Sequence, residues 1–140
     1  MFDRNILVTT IGAHSCNTVI KSLRSFFPFR IYGCDINPAE WSSASLMFDK
    51  VFVSPYARNE QEYLEFLVNL CRRYSIGLIL PILDFEVDFF NKYRNTFTEN
   101  KVIIAINSEE FIRVARNKEL VAQIVLAHPS YKAVQTYNTE

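Results

Sequence analysis

The chain alternates short, wholly apolar segments with longer segments whose apolar residues recur at the helical period. Ile6 to Val8, Leu78 to Leu80 and Val102 to Ile106 are the clearest apolar segments. Such runs are typical of strands buried on both faces of a sheet, because a strand with one wet face alternates apolar and polar residues. Strands separated by helices pair in parallel through right-handed crossovers. The pattern therefore predicts an α/β fold.

The main predicted elements follow in the order β-α-β-(β)-α-β-α-β-α, to which a short helix at 39–47, a last helix at 118–126 and a final strand at 133–137 are added. Pro28 ends the first helix, because proline lacks the backbone N–H that a helix interior needs. Two pairs, Asn59 with Glu62 and Asn107 with Glu110, resemble capping boxes at later helix starts. The strands are predicted at residues 5–10, 29–34, 51–53, 78–80, 102–106 and 133–137, and the helices at residues 15–27, 39–47, 59–74 (with Gly77 near the C-terminal end), 84–93, 107–115 and 118–126.

Composition excludes several classes of protein. The 140 residues suffice for one domain with a core, and 15 Lys and Arg residues balance 15 Asp and Glu residues. This balance predicts no broad attraction to nucleic acid or to an anionic membrane. No stretch approaches the roughly 20 apolar residues of a membrane span, and no signal-peptide pattern opens the chain. Three widely spaced cysteines, Cys16, Cys34 and Cys71, predict reduced, buried thiols and a cytoplasmic protein.

Polar residues follow the predicted strands, at the sheet edge where ligands of open α/β folds bind. Gly12 follows the first strand, and Asp35 lies 23 residues later at the end of the second. That spacing is near that of a ribose-binding acid, but the dinucleotide fingerprint needs three glycines and this turn has one. Two interpretations of the Gly12 turn stay open, a plain tight turn and a turn that binds NAD. His14, beside the turn, is interpreted as a solvated or capping residue.

Asp84 and Glu86 place two carboxylates just past a buried strand, within Pro81 to Glu86. One interpretation is capping, in which Asp84 satisfies the first N–H groups of a helix and both acids favour its dipole. The other is a polar site at the rim of the sheet. The residues alone leave both interpretations open.

Taken in order, these segments resemble the N-terminal, pre-ATP-grasp domain of ATP-grasp ligases, closest to the carbamoyl-phosphate-synthase-like ones. The matching segments are a strand with a glycine turn, an "Asp-x-Asn-Pro" turn, a "Pro-x-x-Asp-x-Glu" segment and a polar residue with lysine opening a helix. In this chain they are Ile6 to Gly12, Asp35 to Pro38, Pro81 to Glu86, and Asn117-Lys118. The resemblance implies an open, mainly parallel, Rossmann-like sheet with helices on both faces.

The resemblance also implies roles for individual residues. Gly12, Asp35, Asp84 and Glu86 match positions that border the substrate cleft, and Lys118 matches a lysine that reaches nucleotide phosphates. Asn117 replaces the aspartate usual before that lysine. ATP and Mg²⁺ would serve the full-length parent in joining a small-molecule carboxylate to an amine, and no cofactor is expected in this chain alone.

The resemblance predicts a pre-ATP-grasp domain over residues 1–126 and the start of a missing ATP-grasp lobe over residues 127–140. A truncated, inactive piece is therefore expected, with a homodimer plausible through the apolar surface that the lobes would cover. The alternative is a self-contained Rossmann-type nucleotide or dinucleotide module. A receiver-like interaction domain is disfavoured, because Thr9 and Thr10 stand where paired acids would be needed.

Overall fold

The computed structural model describes residues 4–26 and 28–132. The chain divides into two compact units, Met1–Ile106 and Asn107–Glu140. The predicted boundary at residue 126 stays a prediction.

The first unit contains a parallel sheet whose described strands lie in the order β3-β2-β1-β4-β5. The chain builds outward from β1 to β3 on one side and then crosses to β4 on the other side. The topological switch point therefore lies between β1 and β4, where open α/β sheets bind ligands. The strands are β1 (Asn5–Thr9), β2 (Ile31–Asp35), β3 (Lys50–Val53), β4 (Ile76–Leu80) and β5 (Ile103–Ile104).

Helices cover both faces of this sheet, as predicted. The first unit holds α1 (Cys16–Phe26), α2 (Glu60–Arg73), α3 (Asp84–Lys92) and α4 (Arg94–Glu99), together with two short 3-10 helices at Ala39–Trp41 and Ser43–Met47. The second unit holds α5 (Glu109–Arg116) and α6 (Lys118–Leu126). The predicted strand at 133–137 lies outside the described residues.

Two hydrophobic cores result from the alternation of side chains along β1. Leu7 points into one core, which α2, α3 and α4 close with Leu67, Phe90 and Phe97. Ile6 and Val8 point into the other, which α1 and the second 3-10 helix close. Because adjacent side chains of a strand face opposite ways, both faces of a central strand must be apolar. This explains the uninterrupted Ile6 to Val8 run.

The structure corrects several predicted helix caps. The Asn59 side chain makes no capping bond to the backbone of α2, and it contacts the Glu62 side chain instead. Ser108, rather than Asn107, caps α5 by accepting a hydrogen bond from the Phe111 N–H. Asparagine and serine both cap well, so adjacent candidates in a sequence compete on equal terms.

Two other predictions fail at strand ends. Gly77 lies inside β4 rather than at a helix terminus. A Cβ there would approach the Arg4 side chain to 2.5 Å, which explains why the position is glycine. Ser75, at φ 50°, takes the left-handed position before β4 instead. The predicted strand over Val102 to Ile106 shrinks to two residues at the sheet edge, with Ile103 exposed. Separately, Phe26, the last residue of α1, is exposed.

Among the described residues, no helix combines the length and the apolar character required to cross a bilayer.

Candidate functional site

Asp35 joins the ends of β1 and β2 at the carboxyl edge of the sheet. Its Oδ2 accepts a hydrogen bond from the Gly12 N–H at 2.8 Å, and its Oδ1 accepts from the backbone and side-chain N–H groups of Asn37 at 3.0 and 3.1 Å. A Cβ on residue 12 would lie 3.0 Å from Asp35 Oδ2, so glycine permits the close approach. Gly12 and Asp35 are thus brought together as a clip between two loops.

This clip weakens the dinucleotide interpretation of the same two residues. A pyrophosphate site needs backbone N–H groups that point at the ligand, and a ribose-binding acid needs carboxylate oxygens to accept from the sugar. Here the Gly12 N–H and both Asp35 oxygens are bonded within the protein, and Asp35 is only 5% exposed. The self-contained dinucleotide module is therefore not favoured.

Glu86 forms the second polar element of this edge. It lies in the first turn of α3 and is 1% exposed. Its Oε2 accepts from the Thr9 hydroxyl at 2.8 Å and its Oε1 accepts from the Tyr63 hydroxyl at 2.7 Å. A buried carboxyl group is tolerated only when its oxygens are hydrogen-bonded, and these two donors meet that need. The network joins β1, α2 and α3 beneath the sheet edge.

Burial and nearby acidic groups keep the Tyr63 hydroxyl and the Cys34 thiol protonated. Burial, with the nearby Cys34 and Glu86, raises the pKa of the Tyr63 hydroxyl well above its usual range. Burial and the acids Glu86 and Asp35 likewise raise the pKa of the Cys34 thiol. A thiol is a nucleophile only as its thiolate. Cys34 is therefore a packing residue despite its position at the end of β2.

Thr10 follows β1 with φ 52°, in the left-handed region. A β-branched residue is strained there, at a cost of about 1–3 kcal/mol. The turn closes with the Ile11 N–H donating to the Cys34 carbonyl and the Ala13 N–H donating to the Thr10 carbonyl. Strain of this kind is concentrated at functional sites, so the strained Thr10 supports a functional site at this edge of the sheet.

A cleft of about 230 Å³ opens at this edge. Its floor is the Glu86–Tyr63 pair, and its walls come from the segments that follow β1, β2 and β3 and from the start of α3. The wall residues are Thr10, Ile36, Ser54, Pro55, Tyr56, Ala57, Arg58 and Phe85.

The predicted site residues contribute unequally to the cleft. Glu86 lines the cleft. Gly12 and Asp35 are outside the lining, and their hydrogen bond joins the two loops that carry the lining residues Thr10 and Ile36. Asp84 is the first residue of α3, after Leu83 at the N-cap position, so it is not the predicted cap, and it stands outside the described lining. His14 is exposed beside the turn.

Lys118 belongs to the second compact unit. It is the first residue of α6 and is exposed. The Asn117 side chain caps this helix by accepting from the N–H groups of Glu119 and Leu120 at 3.0 and 3.2 Å. Asparagine thus replaces aspartate without loss of the cap. The nucleotide role of Lys118 stays a prediction.

Sequence reasoning missed most of the cleft walls. Tyr63 carries an apolar helical pattern, so its hydroxyl bond to Glu86, 23 residues away, leaves no local signal. Tyr56 and Arg58 follow Ser54-Pro55, which indicates only a turn. The sequence signal that could have located these walls is their position, because each wall segment directly follows a predicted strand.

The sheet order and the cleft at its switch point define the class of protein: an open, parallel, Rossmann-like domain with its candidate site at the carboxyl edge. The sequence profile of the family described as "PylC-like, N-terminal domain" matches residues 6–105. The chain belongs to this family. The matched residues lie within the first compact unit.

Solved structures show the same fold. The biotin carboxylase domain of Hydrogenobacter thermophilus 2-oxoglutarate carboxylase, solved with MgADP, ADP and bicarbonate, shares 18% identity at a TM-score of 0.61, over 89% of this chain and 27% of that one. Kluyveromyces lactis urea carboxylase shares 16% identity at a TM-score of 0.60, over 89% of this chain and 11% of that one. The chain thus spans about a quarter or less of their length. No curated protein matches the chain.

These findings confirm the predicted resemblance to the pre-ATP-grasp domain of ATP-grasp enzymes and the predicted fold class.

Proposed function

We propose that this chain is the substrate-side domain of an ATP-dependent carboxylate–amine ligase. The observation that carries the proposal is the cleft at the switch point of a PylC-like N-terminal domain, whose floor includes the buried Glu86, hydrogen-bonded at both carboxyl oxygens. The domain would form one wall of the substrate site. ATP-grasp lobes, on the same polypeptide or on a partner chain, would form the other.

The proposed reaction is the activation of a carboxylate followed by its capture. A substrate carboxylate oxygen attacks the γ-phosphorus of ATP, and ADP leaves. The amine nitrogen then attacks the acyl phosphate carbon, inorganic phosphate leaves, and the amine loses a proton as the amide forms. Mg²⁺ and basic groups would stabilise the phosphoryl charge. Lys118, exposed at the start of α6, is the residue of this chain proposed to meet the nucleotide phosphates.

Three parts of the proposal concern the chain by itself. We place the protein in the cytoplasm, since its three cysteines are free and buried. We also expect the 140 residues alone to be inactive, because the proposed nucleotide and metal contacts come mostly from the lobes. Self-association through exposed apolar side chains stays part of the proposal, and the biotin carboxylase domain of similar fold is described as a dimer.

An ADP-release assay tests the proposal. It compares the 140-residue chain with the protein purified from its native source, over a panel of carboxylates and amines with Mg²⁺-ATP. We expect ADP release from the native protein, dependent on one carboxylate–amine pair, and none from the chain alone. A native protein that releases no ADP with any pair would refute the ligase assignment. Thermal stabilisation of the chain by NAD would restore the dinucleotide alternative.

A further inference from the structure

Three large apolar side chains from separate elements are exposed in the wall of the cleft. Ile36 is 43% exposed, Tyr56 is 51% exposed and Phe85 is 56% exposed. Single exposed apolar residues need no explanation, but their convergence on one concave surface marks a binding site. The cleft therefore favours a ligand that has an apolar part.

Arg58 supplies the positive charge of the lining. Its guanidinium carbon lies 4.7 Å from the centroid of the Tyr56 ring. A cation–π contact with one ring leaves the guanidinium N–H donors that do not face that ring available to a second partner. Within residues 4–26 and 28–132, no salt bridge or hydrogen bond occupies those donors. The ring thus holds the Arg58 guanidinium at the lining, and the N–H donors of a guanidinium match a carboxylate.

The acidic residue of the lining does not oppose an anion directly. Both Glu86 oxygens are turned to the Thr9 and Tyr63 hydroxyls. The strained Thr10 adds a hydroxyl to the lining that makes no hydrogen bond to another described residue. The cleft volume, about 230 Å³, is below the roughly 300–1,000 Å³ typical of sites for drug-sized ligands, so the ligand is small.

We infer that this cleft binds a small organic carboxylate, with Arg58 holding the carboxylate and Ile36, Tyr56 and Phe85 surrounding its apolar part. The inference deepens the proposed function. It rests on that function for the premise that the bound carboxylate is a substrate. It assigns the specificity of the domain to the loops after β2 and β3 and to the start of α3.

The test is an NMR titration of the ¹⁵N-labelled 140-residue chain with hexanoate, and with hexylamine as a cationic probe of equal chain length. We expect saturable shifts with hexanoate, at millimolar concentration, confined to amides of the cleft residues. Hexylamine should not give them. Shifts that do not saturate, that lie elsewhere, or that appear equally with hexylamine would overturn the inference.

Matched variants separate the charge from the geometry. Arg58→Gln should weaken hexanoate binding about tenfold or more, and Arg58→Lys should recover only part of it, because lysine lacks the planar fork. Arg113→Gln, an exposed arginine of α5, is the control and should leave the affinity unchanged. Unaltered binding by Arg58→Gln would overturn the inference. Since no ATP is present, that failure would leave the ADP-release result untouched.

Discussion

Replacing Tyr63 by phenylalanine tests whether the Glu86 network stabilises the domain. The Tyr63 hydroxyl donates to Glu86 Oε1 at 2.7 Å, and the two residues are 2% and 1% exposed. The change removes one oxygen and no packing carbon, so the loss comes from the hydrogen bond and from the carboxyl oxygen left without that donor. Hydrogen bonds to charged groups contribute about 1.5–3 kcal/mol. For a domain of this size, each kcal/mol corresponds to about 3–4 °C in Tm. We therefore expect Tm to fall by about 5–12 °C.

Tyr93→Phe is the matched control. The Tyr93 hydroxyl donates to Glu60 Oε2 at 2.9 Å. This is also a bond from a tyrosine to a glutamate, here from the residue after α3 to the first residue of α2. The Glu60 carboxylate, however, is open to water and also contacts Lys92. Water replaces the lost donor, so Tm should stay close to that of the unmodified chain. Circular dichroism at 222 nm, followed during heating at pH 7, measures both variants.

A second background isolates the effect of charge. In Glu86→Gln the acceptor is neutral, so adding Tyr63→Phe should cost only about 1 kcal/mol, the usual net value of a neutral hydrogen bond. If Tyr63→Phe lowers Tm no more than Tyr93→Phe does, the buried network does not stabilise the fold and the reasoning is refuted.

Three further predictions follow from the described residues. Thr10→Gly should raise Tm by about 3 °C, because it relieves about 1–3 kcal/mol of left-handed strain at a smaller entropic cost, whereas Thr10→Val should not raise it. The three buried thiols, whose pKa values burial raises (to about 11 at Cys16 and about 12 at Cys71), should not react with a disulfide reagent at pH 8 until urea unfolds the chain; rapid native labelling would contradict this. Partial burial opposes ionisation of Asp49, yet the Ile31 N–H and Arg24 lower its pKa below the usual value, so its stabilising effect is present above about pH 4 and is lost as pH falls through the lowered pKa. The Tm gap between Asp49→Asn and the unmodified chain should therefore close in acid, and a constant gap would contradict the assignment.

The sequence predicted the parts of the fold that hydrophobic periodicity controls. Ile6 to Val8 had to lie between two apolar layers, and the helix at 118–126 was predicted with the bounds that the structure shows. Gly77 was misplaced, because glycine ends helices and also permits close contact between strand and side chain, here with Arg4. Only the folded chain distinguishes these two uses.

The candidate site was predictable only as a location. The strand ends were found, and Glu86 lies there as expected. Its donors Thr9 and Tyr63 come from elements 77 and 23 residues away, and such pairings are set by tertiary packing rather than by local pattern. For the same reason, Arg58 could not be distinguished from an ordinary surface arginine without the Tyr56 ring beneath it.

The strand order also has a consequence for synthesis of the chain on a ribosome. β1 pairs with β2, which follows closely, but its other edge pairs with β4, at Ile76–Leu80. At about 5–20 residues per second, the second pairing becomes available seconds after the first. During that interval the nascent chain has a half-sheet whose edge at β1 is open to other strands. The face of the sheet that carries Leu7 also stays exposed to solvent until α2, α3 and α4 have been synthesised. The central strand of the finished sheet is thus open to mispairing while the domain is being made.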